Sequence, residues 1–304
     1  MAILIDPPLW PAHGTLFSHV VSDASLDELH DFASAAGLPA RAFDRDHYDV
    51  PQRRYEDLVA RGAIPVSGTE LVRRLVASGL RVPARQRPEK LDRILLARWS
   101  QQLPDHSHVG ADLLARWSEP HRNYHGRGHL LAVLAAVDRL VAEGESAGTL
   151  PRAVRLAAWF HDAVYQGVAG EDERASAELV RHLLPGVVGD AELEEIRRLV
   201  LVTEHHRPSP DDASGRLLCD ADLEVLARPW PQYLRYVDEV RRDYARVSDA
   251  DFAHGRARVL RSLLELDPLY GTATGRRLWE ASARSNLARE LESLEGWTSM
   301  PSGR

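Results

Sequence analysis

The sequence predicts a multidomain chain: a small α/β domain over residues 1–80, then an all-α bundle over residues 89–304. Three observations carry this. Short apolar runs alternate with capped amphipathic segments as far as Gly79. The arginine- and proline-rich stretch from Leu80 to Arg87 breaks both periodicities and reads as a linker, placed at 81–88. From Pro88 onward strand signals vanish and apolar residues recur at helical spacing.

In the first domain, Ala2 to Ile5 is a strand stopped by Asp6-Pro7-Pro8. Ser25 and Glu28 form a capping box, Leu26, Leu29, Phe32 and Ala36 mark one helix face, and Gly37 ends that helix. Ala40 to Phe43 is a second strand candidate, Pro51 opens a helix that stops at Gly62, and Ala63 to Val66 is a third strand. Ser67 with Glu70 caps a last helix ending near Gly79. This β-α-β-α-β-α order favours a small parallel sheet covered by helices.

In the second part, helical periodicity covers Leu91–Trp99, Leu130–Leu140, Val154–Tyr165, Ala175–Leu184, Leu193–Val202, Tyr233–Tyr244, Val259–Leu266 and Leu278–Leu294. Breaks fall at Pro104, Gly144–Gly148, Gly167–Gly170, Pro185–Gly189, Pro208–Gly215 and Pro268–Gly275. Trp99, Trp117, Trp159 and Trp230 are expected in the core.

Composition narrows the function classes. With 304 residues, 44% hydrophobic and 27% charged, the chain is an ordinary globular one. A net charge of −7 disfavours nucleic acid as a partner. Lys90 is the only lysine, which points first to codon bias and second to phosphate recognition by arginine. Cys219 stands alone, so neither an intrachain disulfide nor a thiolate zinc cluster can form. The first residues lack the basic and apolar regions of a signal peptide, and no stretch approaches the roughly 18 apolar residues of a membrane span. The cytoplasm is the default compartment.

The most informative feature is His161-Asp162 at the end of the apolar run Ala157-Ala158-Trp159-Phe160. An unpaired charge buried there would be costly. His30-Asp31 occurs as well, but without such an apolar approach. His161 and Asp162 diverge by about 100° around their axis, so one ion touches both only in a groove between helices, with ligands from other segments. His125 and His129 are four apart and share one helix face.

The ordered motifs Tyr124-His125-Gly126-Arg127-Gly128-His129-Leu130, Trp159-Phe160-His161-Asp162-Ala163-Val164-Tyr165, Asp172-Glu173 with Ser176-Ala177, Thr203-Glu204-His205-His206 and Asp220-Ala221-Asp222-Leu223 carry a resemblance. Arg241 with Tyr244, Gly255-Arg256, and Ala283-Arg284 with Asn286-Leu287 extend it. Residues from about 90 onward resemble the HD superfamily of metal-dependent phosphohydrolases, in particular a bacterial branch known only as predicted phosphohydrolases. The resemblance implies an HD-type helical bundle and a first ligand set of His129, His161, Asp162 and Asp222. Two imidazoles and two carboxylates suit Mn²⁺, Fe²⁺, Co²⁺, Ni²⁺, Zn²⁺ or Mg²⁺ without deciding among them. Asp220 is expected to orient a histidine ligand.

The function so implied is hydrolysis of a phosphoester or phosphoanhydride of a small, nucleotide-like substrate, with a water of pKa lowered by the cation attacking phosphorus. His125, His205 and His206 are candidates for the general acid, and Asp162 for a base. His205 and His206 also fit a second metal site, a phosphate contact, or simply a helix C-terminus, where the dipole favours them. Arg241, Arg256 and Arg284 are the substrate candidates, with hydroxyl or amide contacts from Tyr244, Tyr165 and Asn286; solvated faces or ion pairs are the competing reading for the arginines. Two rival functions stay open. The extra histidines fit an HD-type di-iron oxygenase cleaving carbon–phosphorus or carbon–carbon bonds, and the helical part also fits a nucleotide or metabolite sensor without turnover.

The N-terminal stretches Asp6-Pro7-Pro8-Leu9-Trp10-Pro11-Ala12-His13-Gly14, Ser18-His19 and Asp46-His47-Tyr48-Asp49-Val50-Pro51 resemble an uncharacterised bacterial domain also found on its own. That resemblance implies no activity. Asp6 lies just past the first strand, where open α/β sheets place ligand crevices. Asp6, His13, His19, Asp46 and His47 are candidates for a second polar or metal site, against a reading as turn residues.

Overall fold

The computed structural model describes residues 2–81, 88–168 and 170–298; most of the expected linker, 82–87, lies outside the described residues. The chain divides into two compact units, Met1–Arg87 and Pro88–Arg304.

The N-terminal unit is a small α/β structure with strands β1 (Ile3–Ile5), β2 (Trp10–Ala12), β3 (Thr15–Ser22), β4 (Phe43–Asp44), β5 (His47–Pro51) and β6 (Ile64–Pro65). Its helices are α1 (Leu26–Ala35), α2 (Tyr55–Ala60) and α3 (Gly68–Ala77). The sheet order is β4-β5-β3-β1-β6, with β2 on β3, and among the described residues of this sheet only β1 and β6 pair in parallel. The expected parallel sheet is therefore corrected to a mixed one. Two hairpins account for the difference. His13 (φ 47°) and Gly14 (φ 76°) form a two-residue turn of left-handed backbone between Ala12 and Thr15, the hand that matches strand twist. Arg45 (φ 65°) turns the chain between β4 and β5. Neither carries the usual Asn-Gly signal.

Smaller corrections follow from local backbone. Pro51 is extended (ψ 149°) and ends β5 instead of opening a helix, and a 3-10 turn, Gln52–Arg54, leads into α2. Ala40–Ala42 is likewise a 3-10 turn, leaving only Phe43 of that candidate strand in β4. Ser25 and Ser67 each accept the N–H of the residue three positions on. Their glutamates turn elsewhere, Glu28 to Ser22 and Glu70 to Arg73, so only half of each capping box forms. Strand alternation sends Ile3, Ile5, Val20, Tyr48 and Val50 to one face against α1 and α2, and Leu4 and Val21 to the other against Leu71 and Leu75 of α3.

The second unit is helical: α4 (Pro88–Gln102), α5 (Ser107–Arg116), α6 (Arg127–Ala142), α7 (Pro151–Phe160), α8 (Glu171–Leu183), α9 (Asp190–Val202), α10 (Ala213–Asp222), α11 (Trp230–Asp243), α12 (Asp249–Leu264) and α13 (Ala273–Thr298). Helices α6, α7 and α10 pack on one another, α7 and α8 on α9, and α12 on α13. Trp99, Trp117 and Trp159 are fully buried. The segment expected to run as helix to Tyr165 ends at Phe160, with His161 as its cap. Helices α5 and α10 were not legible. Gly110 interrupts the apolar pattern of α5, and Asp211-Asp212-Ala213-Ser214-Gly215 reads as loop, although Asp212 caps α10 by accepting the Gly215 N–H at 2.8 Å.

Gly110 has a packing reason. A Cβ there would lie 2.4 Å from Cγ of the buried Trp99 ring. Alanine would add about 1 kcal/mol of helix propensity but cost about 1–3 kcal/mol by overpacking. Gly110→Ala is expected to lower the thermal unfolding midpoint measured by circular dichroism; an unchanged or raised midpoint would show that α4 and α5 are not in such close contact.

Candidate metal centre

Three helix ends meet at one point. His129 sits in the first turn of α6, His161 caps α7 with Asp162 just beyond it, and Asp222 closes α10. Small and apolar residues let these helices approach, among them Val133, Ala157, Ala158 and Ala221, all buried. His129 Nε2 lies 3.2 Å from His161 Nε2 and 3.0 Å from Asp222 Oδ1. His161 Nε2 is 3.3 Å from Asp162 Oδ2 and 3.5 Å from Asp222 Oδ1, and His129 Nε2 is 3.7 Å from Asp162 Oδ2.

These separations suit ligands of one ion. Bonds of about 2.0–2.2 Å place neighbouring ligand atoms about 3.0–3.5 Å apart in octahedral or tetrahedral arrangement. Each ring nitrogen faces the other and two carboxylates at once, so some cation is needed to make the arrangement favourable. Without metal a proton on His161 meets part of that need. Burial opposes its charged form, yet Asp162 and Asp222 outweigh burial and hold it well above the ordinary histidine range. Burial pushes His129 down, only partly offset by Asp222. The two aspartates resist burial through His161 and its neighbours and stay ionised well below the usual carboxylate range. A divalent cation would answer His129, His161 and Asp222 together, with Asp162 beside them.

The surroundings hold the rings in place. His161 Nδ1 donates to the Ala158 carbonyl at 2.9 Å, which turns Nε2 toward the centre. Trp117 donates to the Trp159 carbonyl at 2.9 Å and lies beside both imidazoles, with ring centroids at 5.4 and 6.2 Å. Tyr124 packs 4.8 Å from His129. Sequence reasoning missed Arg122, whose buried guanidinium donates to the carbonyls of Asp162 (2.6 Å), Ala163 (3.1 Å) and His125 (3.1 Å). It also missed Asp243, which accepts from His125 Nδ1 at 2.8 Å and from the N–H groups of Tyr124 and His125. The available signal was position: Arg122 precedes the Tyr124-His125 motif, and Asp243 lies between Arg241 and Tyr244.

The remaining candidates divide. His125 is in the turn before α6, not on its face with His129; it is held by Asp243 and stacks on Tyr165 at 4.2 Å. His206, at φ 51°, places Nε2 2.8 Å from Asp222 Oδ2. A non-glycine residue in left-handed backbone is uncommon and tends to mark functional positions. His205 points largely to solvent, its side chain 75% exposed. Asp220 does not touch a histidine. It accepts from the N–H groups of Gly271 (2.7 Å) and Thr272 (2.8 Å), fastening the lead into α13, and burial pushes it up to about 6. Asp172, at the start of α8, accepts three N–H groups from Gln166, Gly167 and Val168 and so shapes the loop after Tyr165.

A cavity of about 810 Å³ opens from this point, lined by His125, His206, Tyr165, Tyr244, Glu173 and Arg256 among others. Tyr244 and Arg256 thus reach it, but the Arg256 guanidinium is engaged by Glu290 (2.8 and 3.0 Å) and Tyr236 Oη (3.0 Å). Arg241, Arg284 and Asn286 do not line it. Arg241 donates to the Tyr244 and Val247 carbonyls and to Asp249, Arg284 to the Leu264 and Leu266 carbonyls and Glu280, and Asn286 to the Leu226 and Arg228 carbonyls. Those donors secure chain ends because buried carbonyls left unpaired would be costly.

In the N-terminal unit, Asp6, His19, Asp46 and His47 come together and His13 does not; it sits in the hairpin turn near Phe17. Asp49 joins the group.

The family model described as a protein of unknown function (DUF4031) matches residues 3–78, within the N-terminal unit, and ends before the helical one. That part of the chain is similar to a family with no assigned activity. No curated protein and no solved structure matches the chain.

His129→Ala and Asp222→Ala are each expected to retain one equivalent less of Mn²⁺ or Zn²⁺ than the wild type after dialysis, measured by elemental analysis. His206→Gln should weaken retention about 10–100-fold, as loss of an orienting partner does, and His205→Ala should leave it unchanged. Undiminished metal in both ligand variants would place the ion elsewhere.

Proposed function

We propose that the helical unit is an HD-type metal-dependent phosphohydrolase acting on a small phosphorylated compound. One observation supports this above all: His129, His161 and Asp222 lie at ligand spacing, with Asp162 3.3 Å from His161 beside them, at the head of a large cavity. A bound divalent cation would neutralise a phosphoryl oxygen and lower the pKa of water near phosphorus.

The protein's own groups divide the remaining work. Asp243 holds the His125 ring by Nδ1, leaving Nε2 as the nitrogen that can give a proton to a leaving oxygen. His206 steadies Asp222 from the side away from His129. Arg122 fixes the turn carrying Asp162 through its carbonyls, so the carboxylate needs no rearrangement to meet the ion.

The cavity also bears on the substrate. Val240, Val247, Phe252, Val259 and Leu263 form an apolar wall, while Glu173, Glu204 and Asp251 add negative charge. Among the described residues lining it, the arginines are Arg256, neutralised by Glu290, and the exposed Arg207. Such a lining favours one phosphoryl group on a largely uncharged body over a polyphosphate.

A second reading has a specific observation behind it. Asp222 meets His129 through Oδ1 and His206 through Oδ2, so Asp222 and His206 would be the residues to hold a second ion. Two irons and a product formed only with oxygen would support the di-iron oxygenase instead.

The test is phosphate release from a panel of phosphomonoesters by the full chain, reconstituted in turn with Mn²⁺, Co²⁺, Zn²⁺ and Mg²⁺. Asp162→Ala is expected to lower kcat/KM by at least about 10³-fold with its circular dichroism unchanged. Full turnover by that variant with metal removed would end the proposal.

A further inference from the structure

The N-terminal unit carries a second cluster that the helical centre does not use. Strands β3 and β5 are antiparallel neighbours with His19 directly opposite Asp49, and His47 lies two residues from Asp49 on the same face of β5. One ligand atom from each of His19, His47 and Asp49 lies within 4.8 Å of the other two. His19 Nε2 is 3.7 Å and His47 Nε2 3.5 Å from Asp49 Oδ1, and the two rings stand nearly perpendicular, at 76°, with centroids 5.0 Å apart.

What separates this cluster from a solvated patch lies behind the rings. Asp6 and Asp46 are each 2% exposed. Asp6 Oδ2 meets His19 Nδ1 at 2.9 Å, and Asp46 Oδ1 meets His47 Nδ1 at 2.5 Å. Each buried carboxylate fixes the proton of its ring on Nδ1 and turns Nε2 toward Asp49. This is how proteins hold imidazoles that bind metal. Asp6 is itself anchored by the His19 N–H (2.5 Å) and Trp10 Nε1 (3.2 Å).

We propose that His19 Nε2, His47 Nε2 and the Asp49 carboxylate form a site for a late first-row divalent cation such as Zn²⁺ or Co²⁺, with Asp6 and Asp46 as positioning residues. Two imidazoles favour these ions over Mg²⁺ or Ca²⁺, which prefer all-oxygen surroundings. Three protein ligands leave at least one position open, the pattern of a site that binds or acts on something rather than one that only holds the fold. Asp49 is half-exposed, so that position faces solvent. Trp10, 54% exposed and edge-on to His19 at 5.3 Å, supplies an aromatic wall beside it. The site lies within residues 3–78 and does not depend on the reading of the helical unit.

The test uses the full chain and Co²⁺ or Zn²⁺ alone. In the double variant His129→Ala/Asp222→Ala, which removes the helical centre, one equivalent of Co²⁺ is expected to remain, with a visible d–d spectrum. Adding Asp49→Asn, a change at a half-exposed position, should lower Co²⁺ affinity at least about 10-fold, and Asp6→Asn or Asp46→Asn should lower it about 10–100-fold. Zn²⁺ should shift the Nε2 resonances of His19 and His47 in wild-type protein, a readout that needs no variant. The proposal is overturned if those resonances do not move, if the Asp49→Asn protein binds Co²⁺ as tightly as its parent, or if Mg²⁺ competes equally.

Discussion

The helical unit is organised around one electrostatic requirement. Two imidazoles and two carboxylates are gathered where three helices end, and buried charge of that kind is costly unless paired. His129 Nε2 and His161 Nε2, 3.2 Å apart, sit in the field of Asp162 and Asp222, a field that a shared cation would relieve. The surrounding architecture serves this point. Buried Ala157, Ala158 and Ala221 let α7 and α10 come close, Trp117 fills the space behind both rings, and Arg122 ties down the turn after α7.

The arginine-rich composition takes its meaning from the same economy of buried groups. Arg241 and Arg284 donate to carbonyls at chain ends, and Arg256 pairs with Glu290 between α12 and α13. A planar guanidinium offers several donors in fixed directions, so one side chain can satisfy several acceptors where a lysine would serve as a point charge. Most of the arginines that the motifs singled out therefore hold the scaffold, and the cavity is left largely apolar and mildly acidic.

The two units solve a similar problem with different scaffolds. In the helical one a backbone carbonyl, that of Ala158, orients a histidine ring; in the sheet, the buried carboxylates of Asp6 and Asp46 do so. Helix ends bring distant segments together, whereas the sheet brings His19 and Asp49 together by strand register alone. Legibility differs accordingly. Of the sheet cluster, the sequence pointed to Asp6, His19, Asp46 and His47, but His13 lies in a turn and Asp49 was passed over, because recognising it requires the β3–β5 pairing.

By itself the sequence determined what local chemistry controls: an α/β start followed by helices, most helix positions through 3.6-residue periodicity, and a His-Asp pair placed where an apolar run makes charge expensive. That His129 and Asp222 belong with this pair was implied only by the resemblance of the ordered motifs, not by periodicity or burial. Only the tertiary structure decided the rest. The mixed sheet depends on left-handed turns at His13-Gly14 and Arg45. Helix α10 forms from a loop-like stretch because Asp212 caps it. Whether an arginine faces a substrate or a carbonyl, and whether His205 or His206 reaches Asp222, is settled by backbone direction over a few residues, and such directions follow from long-range packing that no local pattern records.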